Sequence, residues 1–183
     1  MMLFSGITFF LGLIQWISIG GNWSWVWLIA LAVSLGFSLQ WIHIYLRPIH
    51  NLLKILWLAG CIGIVICIAH FGAINLLLNL SSDRFLALAI GPLFAALSGL
   101  GFKEFFCFRR PEAIGITILI PIAFIGHIGG FINHIIFMIL MISASISLII
   151  LAMRKFGIDA SADIGDKSIF EFLEKERTNV RVI

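Results

Sequence analysis

The stretch FINHIIFMILMISASISLIILAM, residues 131–153, contains no Asp, Glu, Lys or Arg and is followed at once by Arg154 and Lys155. At about 1.5 Å per residue, a helix of this length reaches ~35 Å, which is enough to cross the hydrocarbon core of a bilayer. The rest of the chain has a similar layout, since 61% of its 183 residues are hydrophobic, 11% are charged and the mean hydropathy is +1.12. This composition is far from that of a soluble domain and predicts a polytopic membrane protein.

Five further apolar runs precede this one, at roughly residues 3–19, 23–46, 55–77, 85–106 and 112–128. None has the alternation of a barrel strand, and backbone groups in hydrocarbon must bond within their own segment. We therefore predict an all-α bundle of about six transmembrane helices over residues 1–153. Residues 154–183 form a polar cytoplasmic tail, in which Ser168 and Glu171 have the spacing of a capping box. The tail forms a short helix on one interpretation and is frayed on the other.

The basic residues predict the orientation of the bundle, because short cytoplasmic loops are enriched in Lys and Arg. If six helices cross the membrane, eleven of the twelve basic residues lie on one side and only Arg84 lies on the other. The sequence therefore predicts that both termini are cytoplasmic. A net charge of +3 distributed in this way indicates membrane topology and no nucleic-acid partner.

Motifs of the familiar enzyme classes are missing. The chain has no His-Glu-x-x-His zinc motif, no phosphate-binding Gly-rich loop and no Gly-x-Ser-x-Gly elbow, which are signatures of metalloproteases, nucleotide-binding proteins and hydrolases. No carboxylate lies at the centre of an apolar run, since Glu104 and Glu112 fall at the predicted cytoplasmic edge. We therefore expect a protein that is not an enzyme, and proton-coupled transport through a relay of buried acids is disfavoured.

Three histidines are the candidate cofactor ligands. His70 lies near the outer end of the third run, while His127 and His134 flank an Ile-Gly-Gly turn between the last two runs. Neutral imidazoles ligate haem iron, chlorophyll magnesium or transition metals. The alternative is that these side chains lie at the interface and bond to the backbone around a tight hairpin. For His43, which is close to Trp41 in the sequence, an interfacial position is favoured more strongly than for these three histidines.

The connector between the fourth and fifth runs, residues 101–112, carries the candidate partner or lipid site. Lys103 and Glu104 are adjacent and point ~100° apart on a helix, so we expect each to need its own partner. Arg109 and Arg110 precede Pro111 and are suited to anionic lipid head groups or an acidic partner. On the alternative interpretation these cations only set the topology.

Small residues recur at a spacing of four in three runs and predict surfaces where helices pack closely, because lipid gives apolar helices no hydrophobic reason to associate. These residues are Ala30, Ser34 and Ser38; Ala59, Gly63 and Cys67; and Ala87, Gly91, Ala95 and Gly99. Two prolines lie inside apolar runs, Pro92 and Pro121. Each removes a backbone donor and should kink its helix or leave a carbonyl without its helical partner.

The second half of the chain resembles a family of uncharacterised integral membrane proteins found mainly in cyanobacteria and related photosynthetic lineages. The resemblance rests on Phe102–Glu104, Phe106–Cys107, Pro111–Ala113 and Gly126–His127, with an Ile-rich helix between the last two. It implies a setting in the thylakoid or plasma membrane, and it brings no established activity.

Three hypotheses about function follow. The first is a non-enzymatic accessory subunit or assembly factor that contacts lipids and docks to other subunits of a larger membrane complex, with a photosynthetic complex as the expected one. The second is a small transporter or channel for an ion or small solute. The third is a membrane protein that binds haem, chlorophyll or a metal through the outer histidines.

Overall fold

The computed structural model describes residues 2–19, 24–41, 47–72, 84–108 and 111–155. These residues form six α-helices, which confirms the predicted all-helical class. The helices are α1 (Met2–Ile19), α2 (Ser24–Trp41), α3 (Arg47–Phe71), α4 (Arg84–Phe108), α5 (Pro111–Gly129) and α6 (His134–Lys155). The chain divides into two compact units, Met1–Met153 and Arg154–Ile183. All but the first two residues of the second unit, and with them the predicted tail helix, lie outside the described residues.

Neighbouring helices of the first unit run antiparallel and form a bundle. The Ser5 and Ser34 hydroxyls are 2.7 Å apart between α1 and α2, and the Trp57 indole of α3 donates to the Ala32 carbonyl of α2 at 2.7 Å. We call the end of the bundle where α4 ends and α5 begins the Pro111 end. The opposite end, where α5 turns into α6, is the Gly130 end.

Four helices contain segments that are long and apolar enough to cross a membrane, namely Pro48–Phe71, Leu86–Phe106, Pro111–Gly129 and His134–Lys155. The segments Met2–Ser18 and Trp25–Trp41 are apolar but shorter. Six crossings, and the cytoplasmic placement of both termini, therefore stay predictions.

The predicted bounds of the third run are wrong. Helix α3 begins at Arg47 and ends at Phe71, whereas hydropathy placed the run at residues 55–77. The helix begins earlier because its backbone extends into residues near Arg47 and Lys54, whose charges the sequence pattern assigns to a loop, and it ends earlier because Gly72 adopts a φ of 76°. Helix α4 ends at Phe108, within two residues of the predicted run, so the first eight residues of the stretch 101–112 are helical.

The turn between α5 and α6 follows the Schellman geometry of a helix end. The Phe131 amide donates to the Gly126 carbonyl at 2.9 Å, and the Gly130 amide donates to the His127 carbonyl at 3.1 Å. Gly130 has a φ of 73°, which side chains with a Cβ rarely adopt. Asn133 then caps α6, because its Oδ1 accepts from the Ile136 amide at 2.9 Å.

The proline inside α5 explains one contact between helices. Pro121 lies inside α5 and has no amide to donate to the carbonyl of Thr117, four residues earlier. The Ser98 hydroxyl of α4 donates to that carbonyl at 3.0 Å. Ser98 thus replaces the hydrogen bond that the proline removes, as hydroxyl side chains do in membrane helices.

Replacing Ser98 should therefore lower the stability of the protein only when Pro121 is present. We expect Ser98→Ala to lower the free energy of unfolding by about 1–2 kcal/mol, because it leaves the Thr117 carbonyl unsatisfied. In a Pro121→Ala background, the new amide at position 121 can donate to the Thr117 carbonyl. Ser98→Ala should then change the free energy of unfolding little. Reversible unfolding of the four variants in mild detergent measures this cycle, and an equal cost of Ser98→Ala in both backgrounds would contradict it.

Candidate functional site

Two of the candidate histidines lie against aromatic rings at the Gly130 end. His127 is in the last turn of α5, and its ring centroid is 4.9 Å from that of the buried Phe137. His134 begins α6 and meets Trp16 of α1 edge-on, with centroids 5.4 Å apart. The predicted position of both histidines around the turn is confirmed.

His70 lies in the last turn of α3, is exposed, and has its ring centroid 5.8 Å from that of Phe71. Each candidate histidine therefore contacts a different aromatic ring. Within the described residues, no three His, Cys, Asp or Glu side chains gather as metal ligands would. The two cavities described below have none of the three histidines in their walls, so we assign no cofactor to these residues and their ligand role stays a prediction. His43 lies outside the described residues.

Lys103 and Glu104 form an ion pair inside the bundle near the Pro111 end. The distance between Lys103 Nζ and Glu104 Oε1 is 3.3 Å, and the side chains are 8% and 0% exposed. This pairing between neighbours was not expected from the sequence, and it is possible because the long lysine side chain folds back to Glu104. This pair faces the interior of the described bundle. Arg109 and Arg110, the other members of the predicted lipid or partner site, lie outside the described residues.

Hydroxyl side chains lie between this ion pair and the middle of the bundle. Besides Ser98, Thr117 bonds to the Ala113 carbonyl at 2.8 Å, and Ser147 of α6 lies beside Gly115 of α5. The half of the α4–α5–α6 interface nearer the Pro111 end thus contains an ion pair and hydroxyl groups.

The half nearer the Gly130 end is aromatic instead. Phe9 and Phe94 have ring centroids 5.4 Å apart, Phe94 and Phe124 are 4.9 Å apart, and Phe124 and Phe137 are 5.7 Å apart. With His127 against Phe137, these rings connect four helices in one chain of contacts. Sequence reasoning missed this chain, because single phenylalanines on separate helices give no pattern along the sequence.

Two apolar cavities adjoin the aromatic chain. One has a volume of about 40 Å³ and is bordered by Phe9, Phe94, Phe124 and Phe137 with further side chains of α1, α2, α4 and α6. The other is a groove of about 350 Å³ on the outside of the bundle, formed by α3, α4 and α5, with both helix prolines in its wall. Each of these cavities offers space for another molecule.

The apolar helices and the buried polar contacts between them define a polytopic helical membrane protein. The chain belongs to the family described as uncharacterized integral membrane protein (DUF2301), whose model matches residues 37–172. This match confirms the family resemblance in its general form, including residues beyond the second half of the chain.

A relative from Haemophilus influenzae, an uncharacterized protein, is 30% identical over 130 residues. The match spans 71% of this chain and 66% of the relative, so the chain covers just under two thirds of that protein's length. Because Haemophilus influenzae is not a cyanobacterium, relatives of this chain are not restricted to photosynthetic lineages. No solved structure matches the chain.

Proposed function

We propose that the protein is a non-enzymatic membrane protein that docks to a larger membrane complex by receiving a transmembrane helix of another subunit in the α3–α4–α5 groove. The observation that carries this proposal is the groove itself. It holds about 350 Å³, and its wall consists of apolar side chains together with Gly91, Pro92 and Pro121.

The shape of the groove is suited to a helix. Gly91 and Ala95 line the groove together with the larger Leu88 of α4 and Ile125 of α5, and Ala95, Leu88 and Ile125 are all exposed. Small residues flanked by larger ones allow another backbone to come close, and such packing drives helix association in a bilayer, where apolar burial alone does not. A helix with small or branched apolar residues facing the groove is the partner of matching chemistry.

The kind of complex is not restricted to photosynthesis. The lineage was the reason to expect a photosynthetic partner and a thylakoid setting, and the Haemophilus influenzae relative removes that reason for the family as a whole. We therefore extend the proposal to an integral complex of any membrane in which the family occurs.

Transport is less well supported by the packing. A solute moving from the Lys103–Glu104 pair past Ser98 would meet the rings of Phe94 and Phe124, whose side chains are 6% exposed and 4.9 Å apart. A charged solute would lose its hydration there without gaining polar partners. Opening a path would require this aromatic layer to separate.

Photo-crosslinking on the full chain in its native membrane tests the proposal. A crosslinking residue replaces Leu88 in the wall of the groove, and a matched probe replaces Ile118, which is exposed on α5 outside the groove. We expect one discrete protein adduct from position 88 and none from position 118. Adding Ala95→Trp, which fills the groove, should abolish the adduct and release the protein from its larger assembly in native electrophoresis.

Three results would contradict the proposal. They are lipid adducts alone at position 88, an adduct with the mass of a second copy of this chain, and a particle that always migrates alone after gentle solubilisation.

A further inference from the structure

The smaller cavity, of about 40 Å³, has a wall formed mainly by α1 and α2. Phe124 is the one residue that borders both this cavity and the docking groove. The wall residues of the smaller cavity include Leu13, Leu28, Leu31, Ile90 and Met141. The side chains of these five are between 0% and 6% exposed. In the whole wall, only Trp16 and Trp27 are half-buried, so the cavity approaches the surface between these two rings.

The wall offers nothing to hold water. The Thr8 hydroxyl is within hydrogen-bonding distance of the carbonyls of Phe4, at 2.9 Å, and Ser5, at 3.0 Å. The Trp27 indole donates to the Gln15 side chain. A buried water needs two to four polar partners, and cavities lined by apolar side chains stay dry even when they are large enough for water.

Close packing normally leaves few voids larger than a water molecule, and an unfilled cavity costs stability. Five helices meet around this one, and the rigid rings of Phe9, Phe94, Phe124 and Phe137 cannot collapse into it without breaking their mutual contacts. The cavity thus remains open because the aromatic chain holds its wall apart.

We propose that this cavity is a binding site for a small apolar molecule of diatomic size, with dioxygen as the chemical type available in a membrane. The volume admits such a molecule and excludes a tetrapyrrole or a drug-sized ligand, which need roughly 300 Å³ or more. The ligand enters from lipid past Trp16 and Trp27. This site shares only Phe124 with the docking groove, so either proposal can fail alone.

Xenon is the probe, because apolar protein cavities of this kind bind it. The full chain in lipid nanodiscs is titrated with xenon and followed by ¹²⁹Xe NMR, with empty nanodiscs of the same lipid as the reference. We expect a saturable shift of the xenon signal beyond that of the empty nanodiscs. A response identical to that of empty nanodiscs, or one that never saturates, overturns the proposal.

Two variants locate the site. Leu28→Phe adds volume inside the wall and should remove the saturable shift, whereas Ile118→Phe, at an exposed position of α5 outside both cavities, should leave it unchanged. Met141→Ala enlarges the cavity and should increase bound xenon at a given pressure, and this readout remains available if Leu28→Phe does not fold. Saturable binding that ignores both Leu28→Phe and Met141→Ala would overturn the assignment.

Discussion

Gly63→Ala is expected to cost about 3 kcal/mol or more of the free energy of unfolding, because the new methyl group has no room where α3 crosses α4. A Cβ at position 63 would overlap the Ala89 carbonyl oxygen and lie 2.7 Å from the Ala89 carbonyl carbon. Both atoms belong to the backbone of α4, so no side chain can rotate away. The two helices have to separate, which places this substitution at or above the usual 1–3 kcal/mol range for overpacking.

Gly91→Ala is the matched control for Gly63→Ala. It is also a glycine inside an apolar helix, but the nearest atom to its added Cβ would be the Phe124 Cδ1 at 3.9 Å, an ordinary van der Waals contact. We expect this variant to be unchanged or more stable by about 0.5–1 kcal/mol, since alanine favours the helix over glycine. Reversible unfolding in mixed micelles measures both variants, and similar stabilities for the two would refute the close approach of α3 and α4.

This pair of glycines also indicates how far the sequence predicts packing. The spacing-four pattern identified Gly63, which is in contact with α4, and Gly99, which lies beside Leu53 of α3. The same pattern included Ala59 and Ala95, which are exposed. A pattern of small residues predicts that a neighbouring helix can come close at these positions. It does not predict which helix will be there, because the rotation of each helix in the assembled bundle decides which residues face a neighbour.

The helices themselves were largely predictable, since long runs without charge leave few alternatives in a membrane. The start of α3 was not, because hydropathy cannot separate a loop from a helix that carries charge in its first turns, as α3 does at Arg47 and Lys54. The histidines near the turn could be placed from chain order alone. The aromatic chain and its cavity could not, because five helices contribute to them and no local pattern reports contacts between distant segments.

Glu104→Ala is expected to destabilise the protein by about 3–5 kcal/mol, the usual cost of removing one partner of a buried ion pair. Glu104 is fully buried, and Lys103 beside it is 8% exposed. Loss of the carboxylate removes a negative charge that offsets the desolvation of the buried lysine ammonium. Unfolding of the purified chain measures the loss, and Lys54→Ala, at an exposed position of α3, serves as the control with little expected effect.

A double-variant cycle separates the ion pair from other contributions of these two residues. Lys103→Met with Glu104→Leu keeps similar side-chain volumes and removes both charges, and such apolar replacements of a buried pair are often neutral or stabilising. We expect the double variant to lose less stability than the sum of Lys103→Met and Glu104→Leu alone, which gives the coupling between the two charges. Strict additivity would mean that the two side chains do not act on each other.

Measuring both stability and lipid binding of the Glu104→Ala variant decides between two roles for the Pro111 end of α4. If Lys103 served chiefly to hold anionic lipid head groups, Glu104→Ala would strengthen lipid binding by removing a competing anion and would change stability little. If the pair instead fixes the last turns of α4 inside the bundle, stability falls and lipid affinity does not rise. The burial of both side chains favours the second outcome, because a head group cannot reach a charge that the surrounding helices already cover.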